Sequence, residues 1–373
     1  MRLKIAASTG QRSMTRAGTD PNRGQSIPAC PLCQGRELEL KFPGILDRLG
    51  IVDGQFDFHS CKRCKSVSLI PLPDAADVPG FYPASYMVKS PPSNGGLLTN
   101  LRVAEWHTFF LPVYRSGARS VLEMTGIERG RLLEIGSSSG YQLREFGRSS
   151  GLELVGLDID ELAVDHARNE LGLNVINSTL EGAQFPESSF DLVILFNVLE
   201  HLVRPIELLQ EVSRILKPGG FLAIKTQIIN SIQSRLFGRR WMLLHEAPRH
   251  VLLASTEGIR QAVDLAGMDL VDYSSGPVLE SSVSVALSMM PNATSGLAFG
   301  KESLLGGLIT RLAGIVLTAL SVPYVILEGA LDLSGTMIYI ATKDNGKLNS
   351  SRIEREDPSR MITVESLSAA ARD

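Results

Sequence analysis

Arg131-Leu-Leu-Glu-Ile-Gly-Ser-Ser-Ser-Gly140 decides how this chain of 373 residues is read. A short apolar run breaks into a turn of glycines and serines, and Tyr141 to Arg148 continues as a helix. Strand, small-residue turn and helix in that order open a parallel α/β sheet. Downstream the rhythm repeats. Leu154-Val-Gly-Leu-Asp158 reads as a second strand, followed by Leu162, Ala163, His166, Ala167, Glu170 and Leu171 at helical spacing before Gly172. Leu173 to Asn177 and Phe190-Asp-Leu-Val-Ile-Leu-Phe196 read as the third and fourth strands. A helix with Leu208, Leu209, Val212, Ile215 and Leu216 on one face ends at Lys217-Pro-Gly-Gly220, and Phe221 to Thr226 reads as strand five. Thr256 is expected to cap a helix that stops at Gly267. Leu270 to Tyr273 and Thr336 to Thr342 complete an α/β, doubly wound, Rossmann-like sheet of seven strands.

In such a sheet, ligands sit past the carboxyl ends of the strands where the winding reverses. Glu134 and the Gly136 to Gly140 turn stand there, with Asp158 closing the second strand. A carboxylate at that position can accept from both hydroxyls of a ribose. The dinucleotide fingerprint is poorly met, because Ser138 and Tyr141 occupy the places of its second and third glycines. A pyrophosphate needs that close approach, whereas an adenosine cofactor without phosphate does not.

From Arg131 to about Lys343, apart from an apolar insertion at 281–333, the sequence resembles the class I S-adenosylmethionine (SAM)-dependent methyltransferases. Five segments carry the resemblance in order: Leu133-Glu-Ile-Gly-Ser-Ser-Ser-Gly140, Gly156-Leu-Asp158, Phe185-Pro-Glu-Ser-Ser-Phe-Asp-Leu-Val193, Asn197-Val-Leu-Glu-His201 and Arg214-Ile-Leu-Lys-Pro-Gly-Gly220. The resemblance implies that Glu134, Gly136, Ser138 and Gly140 hold the methionine moiety and Asp158 the ribose. It implies that Ser178-Thr-Leu180 flanks the adenine, through Thr179 and Leu180, and that Asn197 lines the methionine end. Two positions depart from the pattern. The middle glycine of the turn is Ser138, and Thr179 stands where an acidic residue near the adenine is usual.

Methyl transfer from a sulfonium is an in-line displacement, so the protein mainly aligns the reactants and manages one proton. A hydroxyl acceptor favours a base with a pKa near neutrality. Of the six histidines, His201, His245 and His250 are the candidates, lying after strand four and between strand five and the Thr256 helix. The Glu200-His201 pair is also similar to the E-x-x-E-H metal motif of ubiquinone-pathway and small-RNA O-methyltransferases, with Asn197 replacing its first acid. That similarity implies a divalent cation such as Mg2+ on Glu200 and His201, with His250 as a further ligand. The plainer reading is a helix start, where Glu200 complements the helix dipole. Trp241 reads as an acceptor platform or as a core aromatic.

The four cysteines fall in two pairs, Cys30-Pro-Leu-Cys33 and Cys61-Lys-Arg-Cys64, 27 residues apart. This is the spacing of a zinc ribbon, a closed structural site of four thiolates; a redox pair or unligated thiols are the alternatives. A net charge of -3 argues against a dedicated nucleic-acid binder, and 44% hydrophobic content excludes disorder over most of the length. Followed by Phe81-Tyr-Pro-Ala-Ser-Tyr86, the ribbon resembles the N-terminal module of bacterial methyltransferases of the glycan and natural-product type, which implies that it braces or covers the acceptor site.

Domain organisation follows: a basic tail at 1–27, the ribbon module at 28–90, a linker and bridging segment at 91–130, the methyltransferase domain at 131–343 and a polar tail at 344–373. Residues 1–27 hold no apolar run of signal length, which with metal-spaced cysteines suggests a cytoplasmic setting. Within the insertion, Leu304 to Leu327 carries only the charge of Arg311. As a helix it would reach about 36 Å, enough for a bilayer core. A single crossing would strand Thr336 to Thr342 on the wrong side, so a helical hairpin in the inner membrane surface is expected. A homodimer interface or core helix is the alternative. The function the resemblance implies is O-methylation of a sugar or lipid-linked glycan. Sugar C-methylation, small-molecule O-methylation and a non-catalytic zinc-ribbon interaction protein are the alternatives.

Overall fold

The structure is a computed structural model and describes residues 29–74, 76–82, 108, 110–290 and 304–343, with 304–308 as backbone. The two expected tails, the linker at 91–96 and the aromatic stretch beyond Tyr82 lie outside the described residues.

The chain opens with a small antiparallel sheet of β1 (Leu38–Ile45), β2 (Phe56–Cys61) and β3 (Val67–Leu69). Helix α1 (Leu111–Thr125) follows, and the alternation begins with β4 (Arg129–Ile135), α2 (Tyr141–Ser149), β5 (Gly151–Asp158), α3 (Glu161–Asn169), β6 (Val175–Asn177) and the short α4 (Leu180–Ala183). Then come β7 (Phe190–Phe196), α5 (Pro205–Ile215), β8 (Leu216–Gln227), α6 (Ile232–Phe237), β9 (Leu252–Leu253), α7 (Thr256–Leu265) and β10 (Asp269–Ser275). Helices α8 (Val278–Met289) and α9 (Leu304–Ala330) form the insertion before β11 (Thr336–Thr342).

The large sheet runs β10-β11-β8-β7-β4-β5-β6, the seven strands expected from the sequence. Only β11 runs antiparallel to its neighbours, β8 and β10; the β8-β7-β4-β5-β6 pairings are parallel. From β4 the chain builds outward through β5 and β6, then returns to lay β7 on the other side of β4. The winding therefore reverses between β4 and β7, and a crevice opens at their carboxyl ends.

Period-2 alternation explains the layering. Leu133, Val193, Leu195, Leu222, Ile224 and Tyr339 pack with Leu209, Val212 and Ile215 of α5 and Ile259 and Val263 of α7. Their neighbours Leu132, Leu192, Ile194, Ala223 and Ile338 face the other way, against Val121 of α1 and Phe146 of α2. Both faces are covered, so the strands read as continuous apolar runs. Two local readings are corrected. Ser255, not Thr256, caps α7, its hydroxyl accepting from the Gly258 amide at 2.9 Å. Lys217-Pro-Gly-Gly220 belongs to β8 because its turn is absorbed as an irregularity in the β7–β8 ladder, between Phe190 and Leu192.

The ribbon is built into the domain. β3 pairs with β9, so its sheet gains a fourth strand from residues 252–253. Its cysteine knuckles pack on α7, where Ser66 and Ser255 share hydrogen bonds and Ser255 Oγ donates to the Cys64 carbonyl. A Cβ at Gly258 would collide with Ser66 Oγ and crowd Leu32, so glycine sets that close approach. On the opposite side, the β1–β2 loop places Asp47 against Arg249 in a bidentate pair at 2.6 and 3.1 Å, both side chains fully buried. Its neighbour Arg48 donates to the carbonyls of Leu287 and Met290 at the end of α8. Two adjacent residues thus tie the ribbon to the loop after β8 and to the insertion.

Candidate active site

The turn after β4 is held open by backbone geometry. Gly136, Ser138 and Gly140 all take left-handed φ values, of 72°, 48° and 82°. A serine in that region costs about 1–2 kcal/mol relative to its preferred conformation. Here the Ser138 amide donates to Asp158 Oδ2 at 2.7 Å, and that bond offsets the cost. Asp158 Oδ1 accepts from the Asp160 amide at 2.9 Å. The carboxylate is 3% exposed and stands at the end of β5. Burial pushes its pKa up, and the two amides oppose that shift.

Glu134 lies at the end of β4 against the first turn of α2. Burial pushes its pKa well above the ordinary carboxyl range; Lys225 pulls it down, Asp158 raises it further, and the Leu143 amide also lowers it. Its Oε2 is buried without a hydrogen-bond partner, as are the hydroxyls of Ser137 and Ser139. Three orphaned polar groups beside a ribose-competent carboxylate fit a polar, cationic ligand such as the aminoacyl end of SAM. The exposed Thr179 hydroxyl caps α4 by accepting from the Gly182 amide. Leu180 beside it is buried.

Across β4, at the end of β7, Asn197 turns the chain with a left-handed φ of 54°. Its Nδ2 donates to Glu280 Oε1 at 3.1 Å, and its Oδ1 accepts from Gln227 Nε2 at 3.2 Å. Glu280 comes from the first turn of α8 and also accepts from Lys225 Nζ at 2.7 Å. Neither Glu280 nor Lys225 stood out in the sequence, since a bond between positions 83 residues apart leaves no local pattern.

Beyond Asn197 stand Glu200, His201 and His250, whose ligating atoms lie within 4.8 Å of one another. Glu200 is fully buried; Thr226 Oγ1 donates to its Oε2 at 2.9 Å, while its Oε1 has no partner. Burial pushes its pKa up to about 7. The His201 Nδ1 lies 3.0 Å from the Arg249 carbonyl and 2.9 Å from the Tyr82 hydroxyl. The His250 Nδ1 lies 3.1 Å from the Leu243 carbonyl. A carbonyl can only accept, so each imidazole donates through Nδ1. His245 stands apart from this cluster. Its two nitrogens face the carbonyls of Leu46 and Arg239, which makes it a strut between the ribbon loop and the segment after β8. Trp241 is fully buried among Phe58, Leu244 and Val251, so it is core and not a platform.

In the ribbon, Cys30 and Cys64 approach to 3.6 Å and Cys33 and Cys61 to 3.5 Å between sulfurs. A tetrahedron of zinc–sulfur bonds of about 2.3 Å has edges of about 3.8 Å, so the four thiols fit a zinc ion. They are buried, and without a cation burial pushes the Cys33 thiol up to about 12. Purified protein is expected to hold about one zinc per chain by elemental analysis, and a content near zero would remove the site.

Residues 106–273 match the sequence family described as a methyltransferase domain. This part of the chain is a class I SAM-dependent methyltransferase domain. A biotin biosynthesis bifunctional protein of Cellvibrio japonicus is 28% identical over 149 residues, covering 39% of this chain and 29% of that one. A protein of Mycolicibacterium smegmatis named "Probable S-adenosylmethionine-dependent methyltransferase" is 31% identical over 96 residues, 26% of this chain and 37% of that one. A ubiquinone biosynthesis O-methyltransferase of Vibrio cholerae is 30% identical over 118 residues, 30% of this chain and 47% of that one. The chain thus spans 29% to 47% of the length of these relatives.

Proposed function

We propose that the protein transfers a methyl group from SAM to a hydroxyl of a sugar or lipid-linked glycan at the inner face of a membrane. The observation that carries this reading is the Glu200–His201–His250 cluster beside Asn197, across β4 from Asp158. When bound, SAM supplies a methyl electrophile: the acceptor oxygen forms the new C–O bond while the C–S bond breaks and its electron pair leaves with sulfur. Asp158 would hold the ribose, and Glu134 would take the cationic α-amino group. The Nε2 of His201 or His250 would receive the hydroxyl proton, with Tyr82 and the backbone carbonyls fixing the rings.

One buried carboxylate and two imidazoles also form a donor set suited to a divalent cation such as Mg2+ or a transition metal. Such an ion would lower the pKa of an acceptor hydroxyl.

Helix α9 supports the membrane placement. Its part Ile309–Ala330 is long and apolar enough to cross a bilayer, with a mean hydropathy of 1.8. Its end is nevertheless tied to the domain: Glu328 is fully buried and accepts from Gln233 and Tyr324. β10 before the hairpin and β11 after it lie in register in one sheet. Ile309, Leu312, Val316 and Leu320 are exposed by 54–71%. A hairpin that lies in a lipid surface suits both facts.

The test is transfer from labelled SAM to glycolipid fractions, with and without added Mg2+. A labelled methyl ether is expected, and label fixed on carbon or nitrogen, or no transfer at all, would overturn the hydroxyl reading.

A further inference from the structure

Resting on the cofactor reading above, we infer that Glu280 is a positioning residue for the sulfonium end of SAM, supplied by the apolar insertion. Its carboxylate bridges two strand ends. Oε1 accepts from Asn197 Nδ2 and Oε2 from Lys225 Nζ. Asn197 and Lys225 are themselves joined, the Asn197 amide donating to the Lys225 carbonyl at 2.8 Å. One side chain of α8 therefore fixes the orientation of the Asn197 amide and sets the direction of the Lys225 ammonium, whose side chain is 3% exposed.

Charge gives the bridge its chemical meaning. Lys225 lies opposite Phe196 at the end of β7, whose other neighbour β4 carries Glu134, and Asn197 and Glu200 follow β7, so the pair stands at the strand ends between Glu134 and Glu200; its charges reach both carboxyls. Taken alone, the Lys225–Glu280 pair is neutral. A sulfonium brought to this boundary meets a carboxylate in a low-dielectric setting, where attraction between opposite charges is strong. After transfer the sulfur is a neutral thioether and that attraction is gone. Glu280 thus favours SAM over S-adenosylhomocysteine, while a residue that merely braced the fold would affect both alike.

Titration calorimetry of the full-length, zinc-loaded protein with each nucleoside tests this. Glu280→Gln is expected to cut the preference for SAM over S-adenosylhomocysteine by about tenfold, with homocysteine-form affinity changed by less than about threefold. Lys225→Gln moves the other way: it leaves the carboxylate unneutralised and raises the preference. Glu280→Asp retains part of the wild-type ratio. An unchanged ratio in Glu280→Gln, or equal weakening of both ligands in Glu280→Gln and Lys225→Gln, would overturn the proposal. Should Glu280→Gln fail to fold, the sign of the Lys225→Gln shift decides alone. Wild-type protein that bound neither nucleoside would instead remove the cofactor reading itself.

Discussion

Asp158→Ala should lose SAM binding by at least two orders of magnitude, with the protein still folded and zinc-loaded. Two effects combine. The side chain would accept from both ribose hydroxyls, and hydrogen bonds to a charged group are worth about 1.5–3 kcal/mol each. Their joint loss corresponds to about 3–6 kcal/mol, or roughly a hundredfold to ten-thousandfold in affinity. The same carboxylate also holds the Ser138 amide, and with it the left-handed conformation of a residue that lacks the freedom of glycine. Asp158→Asn keeps the shape and one acceptor oxygen, so its loss should be smaller. Calorimetry reads both, and SAM affinity in Asp158→Ala within about threefold of wild type would place the nucleoside elsewhere.

Arg249→Met is expected to destabilise the protein by about 3–5 kcal/mol, because it leaves the buried Asp47 carboxylate without its partner. Burial pushes Asp47 up, yet the guanidinium and the backbone amides of Val52 and Leu49 together hold it below the usual carboxylate range. Without Arg249 much of that downward pull is lost, and Asp47 should take up a proton at a higher pH than in the wild type or unfold the loop that carries it. Methionine preserves the apolar stem, which separates loss of charge from loss of packing. The variant should unfold at lower denaturant concentration, and its deficit should shrink as the pH falls and Asp47 becomes neutral. A midpoint equal to wild type would mean that the ribbon is not braced through this pair.

Much of the fold could be read from local pattern. Buried parallel strands such as Phe190 to Phe196 need apolar side chains on both faces, and the turn at Gly136 to Gly140 needs residues compatible with positive φ. Both demands show in single segments of sequence. The cysteine site was legible for the same reason, since each knuckle supplies two ligands three positions apart. Glu200, His201 and His250 were also visible as candidates, although only the fold brings residue 250 back to residue 200. What escaped was contact between distant polar side chains. Asp47 meets Arg249 across 202 positions, and Glu280 meets Lys225 across 55. No periodicity announces such pairs. His245 looked equivalent to His250 because both follow strand five. The distinction comes from which backbone carbonyls surround each ring. The cap expected at Thr256 falls on Ser255, one residue earlier and chemically alike, where Ser66, remote in sequence, anchors it.

The position of β11 has a consequence for biosynthesis. The last strand among the described residues is not at an edge; it slots between β8 and β10. Until residue 342 has left the ribosome, both of those neighbours present open rows of amide and carbonyl groups, and the nascent chain carries two sticky margins at once. The sheet is therefore completed only once residue 342 has emerged, and polypeptides released before that point should be prone to aggregation rather than forming a smaller stable core.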